Sequence, residues 1–147
     1  MKRSLAVALV LLPLMACAQG KPLPRGLEET GITIPFRLDM DSGDVRKIKG
    51  NVVVSGRFVS IALDNGQQLS LTLDAAAKRV VKIVVLLDKE RFVKLVKKSR
   101  ELYSKGNEYE REKLDLYESH VWKDKSTTLS FIWSRDSYRL ELSDRTK

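Results

Sequence analysis

The chain has little of what most often announces a chemistry. Its 147 residues hold one Cys and one His. A single Cys makes no intrachain disulfide, and a lone His excludes metal sites built on several imidazoles. No apolar run reaches the roughly 20 residues of a membrane-spanning helix, which excludes a multi-span membrane protein. Neither G-x-S-x-G nor S-x-x-K occurs, so no recognisable nucleophile motif stands beside His120. What is present suffices for a core: 43% of residues are apolar and 31% charged. The length suits one domain.

Lys2 and Arg3 precede the apolar stretch Leu5 to Ala16. A basic start, a short apolar run and a small-residue exit describe a secretory signal peptide over residues 1–16. The exit has two readings. Ala16-Cys17-Ala18 fits ordinary small-x-small cleavage, releasing a soluble domain from Gln19. Leu14-Met15-Ala16-Cys17 resembles the lipobox of bacterial lipoproteins, with Met15 where Ala or Ser is more usual. That resemblance covers only the first seventeen residues. It implies that Cys17 becomes the lipidated first residue of the mature chain and anchors it to a membrane. An unpaired thiol is a liability in an oxidising compartment, and the only Cys sits where lipidation would consume it. In a Gram-negative organism, Ala18 lacks the Asp that retains such proteins in the inner membrane. The implied location is then the outer membrane, facing the periplasm.

Residues 18–30 carry two Pro and two Gly without a hydrophobic period, which reads as a flexible tether after Cys17. A single domain over 31–147 is expected to follow. Ile32, Ile34, Phe36, Leu38 and Met40 alternate with polar residues, the pattern of a half-buried strand, and Pro35 places it at an edge. DMDSGD, with Asp39, Asp41 and Asp44, reads as a tight hairpin turn in preference to a calcium loop, since an EF-hand's Gly and bidentate Glu are missing.

Strands are expected at 52–54, 57–63, 67–73 and 80–87. Pairing Leu63 with Gln67 puts Val59, Ile61, Leu63, Leu69 and Leu71 on one face, with Gly66 left-handed. A helix over 89–105 buries Phe92, Leu95, Val96, Ser99, Leu102 and Tyr103, capped by Asp88 and ended at Gly106. After a polar stretch, strands at 114–122, 127–133 and 137–142 form a meander. The fold class is α+β: a mostly antiparallel sheet of about six to eight strands with one amphipathic helix packed on it.

Charge is concentrated. Without Lys2 and Arg3 the chain keeps 25 basic and 19 acidic residues, a net +6, while residues 78–105 alone hold ten basic and three acidic. Arg91, Lys94 and Lys98 follow an i, i+3, i+7 line on the exposed helix face. They are the candidate partner-binding residues, for an acidic protein or an anionic envelope component. Nucleic acid is not expected, because no aromatic residue interleaves with the basic face. Glu108, Glu110 and Glu112 would share one face of a strand and read as a solvated edge rather than catalytic carboxylates. Trp122, Trp133 and Tyr138 read as core, and the side His120 faces depends on register. No catalytic, cofactor-binding or metal-ligating residue is assigned. The expectation is a non-enzymatic, lipid-anchored envelope protein acting by binding, in size and anchor like small inhibitor or immunity lipoproteins. The alternative is a structural or assembly lipoprotein on anionic lipid or cell-wall polymer.

Overall fold

The computed structural model describes residues 20–147; the signal segment and Cys17 lie outside the described residues. Two short helices come first, α1 (Leu27–Thr30) and α2 (Ser42–Val45). Four strands follow: β1 (Asn51–Ser55), β2 (Phe58–Ala62), β3 (Gln68–Leu73) and β4 (Val80–Leu87). Helix α3 (Lys89–Tyr103) leads to a second run of four, β5 (Glu108–Leu114), β6 (Tyr117–Lys123), β7 (Thr127–Ser134) and β8 (Ser137–Asp144). All eight strands form one antiparallel sheet in the order β1-β2-β3-β4-β8-β7-β6-β5. Each half is a local meander, and β4 joins β8 across the middle. The fold is thus α+β. No described helix is long and apolar enough to cross a membrane.

Period-two alternation decides which face is dry. Val59 and Ile61 of β2 stand opposite Leu71 and Leu69 of β3, the register in which Leu63 meets Gln67 and Gly66 has φ 81°. Ile83 and Val85 of β4 meet Leu142 and Leu140 of β8, and Leu129 and Phe131 of β7 continue the row. All ten of these side chains are buried. α3 covers this face through Phe92, Leu95, Val96, Ser99 and Tyr103, while the Asp88 carboxylate accepts the Arg91 backbone N–H at 2.8 Å. The opposite face is polar along the centre, where Glu141 pairs with Lys82 at 2.9 Å and Arg139 at 2.8 Å. Toward β1 it is apolar and open, with Val53, Phe58 and Leu86 exposed.

The N-terminal region departs from the sequence pattern. Residues 20–30 are not a flexible tether, and the fold does not begin at Gly31. Leu23 and Leu27 are buried in the main core, and the Leu23 N–H donates to Asp124 Oδ2 at 3.0 Å. Two Pro and two Gly made the stretch look like a linker, but two Leu and an Arg carry it into the fold. Residues 32–38 bury Ile32, Ile34, Phe36 and Leu38 as alternation requires, yet form no ladder strand. Ile34 N–H bonds Ile32 O and Phe36 N–H bonds Ile34 O, both at 2.8 Å, so γ-turns produce the period of two. DMDSGD is no hairpin: Asp41 caps α2 by accepting the Gly43 N–H at 2.8 Å. The stretch expected as one strand over 114–122 breaks at Asp115–Leu116, and Glu108–Leu114 is itself a strand.

Arg25 fastens this N-terminal layer to the sheet. Its guanidinium reaches Asp144 Oδ2 at 2.7 Å, Asp39 Oδ2 at 2.9 Å and Thr127 Oγ1 at 3.2 Å. Burial pushes the Asp144 carboxyl up, but hydrogen bonds from Thr146 and Arg25 more than reverse this and bring its pKa to about 2, from 3.8. A carboxyl depressed in the fold contributes stability above its unfolded value and loses it as pH falls through the folded one. We expect Asp144→Asn to lower stability at pH 7 by about 2 kcal/mol. It should also remove the part of the acid transition lying between pH 3.8 and about 2, measured by urea unfolding across pH.

Candidate functional site

The basic face of α3 does not act as one strip. Arg91, Lys94 and Lys98 are exposed, on the flank toward the β2–β3 turn and the N-terminal layer. Arg91 Nη1 donates to Gln67 Oε1 at 3.0 Å, and Lys98 lies beside Gly31. Lys94 is next to Val93, which is 58% exposed. Lys97 and Arg100 point to the other flank. There an open groove of about 780 Å³ separates α3 from β5 and β6. Phe92, Val93 and Val96 supply its apolar wall, and Tyr109, Arg111, Glu118 and His120 line the side formed by the strands.

Strand register builds that second side. Glu108, Glu110 and Glu112 project to the outer face of β5, where Lys123 pairs with Glu110 at 3.0 Å and Glu108 at 3.7 Å. Tyr109 and Arg111 therefore project inward. The cross-strand pairs Tyr109–Trp122, Arg111–His120 and His120–Phe131 place the imidazole on the inner face, settling the side it takes. Its ring stacks on both Tyr109 and Trp122, and only 4% of the residue is exposed. Trp122 is fully buried, its Nε1–H held by Ser104 Oγ at 3.0 Å, whereas Trp133 and Tyr138 are half-buried and stacked on each other.

A continuous polar chain runs through this layer. Tyr109 Oη lies 2.9 Å from His120 Nδ1, and His120 Nε2 lies 3.0 Å from Glu118 Oε1. The same Oε1 accepts Arg111 Nη2 at 2.7 Å and Nε at 3.1 Å. Burial pushes the Glu118 carboxyl up, but donors from Arg111 and His120 outweigh it and hold the group below its ordinary value. It is an anion that only accepts. Burial pushes the His120 pKa below 6.5; the bond and charge of Glu118 oppose this only in part, and Arg111 and Arg100 reinforce it. The imidazole is accordingly neutral, with its proton on Nε2 toward Glu118, and Nδ1 accepts the Tyr109 hydroxyl.

Among the described residues no group of three or more His, Cys, Asp or Glu is placed to hold a metal ion. Asp39, Asp41 and Asp44 instead serve Arg25, the α2 cap and Lys47. A helical wheel alone does not separate the roles of Lys97 and Lys98, and the inward residues of β5 were hidden behind its conspicuous glutamates. The available signal was the same alternation: if Glu108, Glu110 and Glu112 face out, Tyr109 and Arg111 face in.

The buried neutral imidazole has a measurable consequence. Its pKa is lower in the fold than in the unfolded chain, so the unfolded chain binds the proton first. Stability is then full above about pH 6.5 and declines as pH falls toward the folded value. We expect His120→Gln to flatten that decline below about pH 6.5 in urea midpoints. An unchanged slope would mean that the ring is not held neutral. No protein-family model, curated protein or solved structure matches this chain.

Proposed function

We propose that this chain is an exported cell-envelope protein, lipid-anchored through Cys17, that works by non-catalytic binding in the manner of an inhibitor or immunity protein. The observation that carries the binding reading is the composition of α3's free surface. Val93 is exposed between cationic side chains on both flanks, Arg91, Lys94 and Lys98 on one and Lys97 and Arg100 on the other. An exposed apolar side chain among five cations, which outnumber Glu90 and Glu101 on the same face, suits a protein partner with an acidic surface. The anchor reading is supported by the lipobox-type sequence ending at Cys17.

The test is capture from detergent-solubilised envelope extract at physiological salt, with the mature protein as bait. A triple variant, Arg91→Glu/Lys94→Glu/Lys98→Glu, and a groove variant, Lys97→Glu/Arg100→Glu, run beside it. We expect one stoichiometric protein band that the triple variant loses. Loss only in the groove variant would move the site across the helix. Binding of anionic lipid or cell-wall polymer that fades smoothly with salt, without a protein band, would favour a structural or assembly role instead.

One observation favours a second reading. Tyr109, His120 and Glu118 stand in the order hydroxyl, imidazole, carboxylate, the arrangement that activates a nucleophile. A covalent hydrolase would attack through Tyr109 Oη, with Arg100 and Arg111 near the developing charge. Under that reading Tyr109→Phe abolishes turnover of a responsive substrate from a panel of chromogenic esters, phosphoesters and glycosides. Under the binding reading no member of the panel turns over. Tyr109→Phe then only leaves Nδ1 of His120 unpaired, costing about 1–2 kcal/mol in thermal unfolding.

A further inference from the structure

The two ends of the sheet differ in charge, and the chain enters at the basic one. The β6–β7 turn, the exit of β8, the β3–β4 loop and the junction of α3 with β5 share one end of the strands. Lys78, Lys105, Lys125 and Arg145 are exposed there, and the exposed Lys21 places its Nζ 5.8 Å from the centre of the Tyr103 ring. Three of the carboxylates at this end are turned inward. Asp124 accepts the N–H groups of Leu23, Ser126 and Thr127, Asp74 those of Lys78 and Arg79, and the Asp144 side chain is 1% exposed against Arg25. Glu108 and Asp39 stay half-exposed but are paired, with Lys123 and with Arg25 and Lys147, so cations dominate the solvent-facing charge of this end. At the opposite end the charges nearly balance: the β2–β3, β5–β6 and β7–β8 turns expose Asp64, Asp115 and Asp136, alongside Arg135 and the Lys89 and Arg91 of α3.

The chain's entry point is equally defined. Gly20 packs so closely on the end of α3 that a Cβ there would stand 2.3 Å from Lys105 O and 2.6 Å from Gly106 Cα. Asn107 Nδ2 then donates to Lys21 O at 2.9 Å, and Leu23 is tied to Asp124. Two residues separate Gly20 from Cys17, and the three Cα steps between them reach at most about 11 Å.

We propose that this basic end is a membrane-docking surface: the protein stands on an anionic bilayer with Lys21, Lys105 and Arg145 against the headgroups and the β5–β6 and β7–β8 turns pointing away. The inference rests on acylation at Cys17. A lipid on that residue cannot lie more than a short step from Gly20, and the surface it brings to the bilayer has the complementary charge. The surface is distinct from the outer face of α3, which it holds to the side, free for a partner.

The test uses the full-length chain, expressed in a bacterial host and purified from its membranes after processing. Mass spectrometry of the N-terminal peptide first establishes whether Cys17 is acylated. Two reporters are then compared, Lys125→Cys in the β6–β7 turn and Asp136→Cys in the β7–β8 turn. They lie at opposite ends of β7, roughly 25 Å apart along an eight-residue strand. An acylated Cys17 leaves each reporter as the only free thiol.

The readout is the rate of labelling by a bulky impermeant maleimide, normalised to detergent solution, in vesicles of phosphatidylcholine with and without phosphatidylglycerol. We expect Lys125→Cys to react about tenfold slower than Asp136→Cys on the anionic vesicles, a protection of two or so basic contacts. The two rates should converge on the zwitterionic vesicles or when Lys105→Glu and Arg145→Glu are added. Equal rates on anionic vesicles with Cys17 acylated would overturn the docking surface and leave the anchor intact. Protection that persists on zwitterionic vesicles would overturn charge recognition, leaving the short linker as the cause. An unacylated Cys17 would overturn the anchor and the docking surface together.

Discussion

An eight-stranded antiparallel sheet open at both edges has two faces to dispose of, and this chain dries only one. The buried row from Val59 through Ile83, Leu140 and Phe131 to Trp122 crosses from β2 to β6. No single helix can span that width, so two covers share it: α3 over one part and the layer of residues 20–48 over the rest. Every candidate site described above is a by-product of that division. The groove lies where α3 stops short of β5, and the cationic flanks exist because α3 spends only one stripe on the sheet. His120 is buried because β6 continues the dry face past the helix.

Much of this was legible from alternation alone. The β2–β3 register followed from the requirement that Ile61 and Leu69 share a face, because a slip of one residue would have exposed every apolar side chain. α3 announced itself through Asp88, the Phe92 to Tyr103 stripe and Gly106. The errors have a common cause. A period of two shows which side chains are buried and is silent on what the backbone bonds to. Residues 32–38 satisfy the pattern with γ-turns, and the Pro-rich stretch before them was judged by its turn formers rather than by Leu23 and Leu27. The break at Asp115–Leu116 was missed because Leu114, Leu116 and Tyr117 read as one continuous apolar strand.

The site was less legible than the fold, for a physical reason. Arg91, Lys94 and Lys98 could be chosen from a helical wheel, since one element suffices to place them. The chain from Tyr109 through His120 to Glu118 and Arg111 needs two strands in register, and that register depends on the length of a turn. A β5 of seven residues with glutamates on its outer side also has a structural use. Charges along an exposed edge strand discourage a second sheet from adding to it.

Arg25 and Leu23 carry a consequence of another kind, for the order of assembly. Their partners, Asp124, Thr127 and Asp144, lie about a hundred residues further along the chain. Contacts so far apart cannot reward the loop they close until both meanders are formed and β4 has met β8. Leu23 and Arg25 must therefore wait for β8, and that strand is the latch that fastens the layer they belong to.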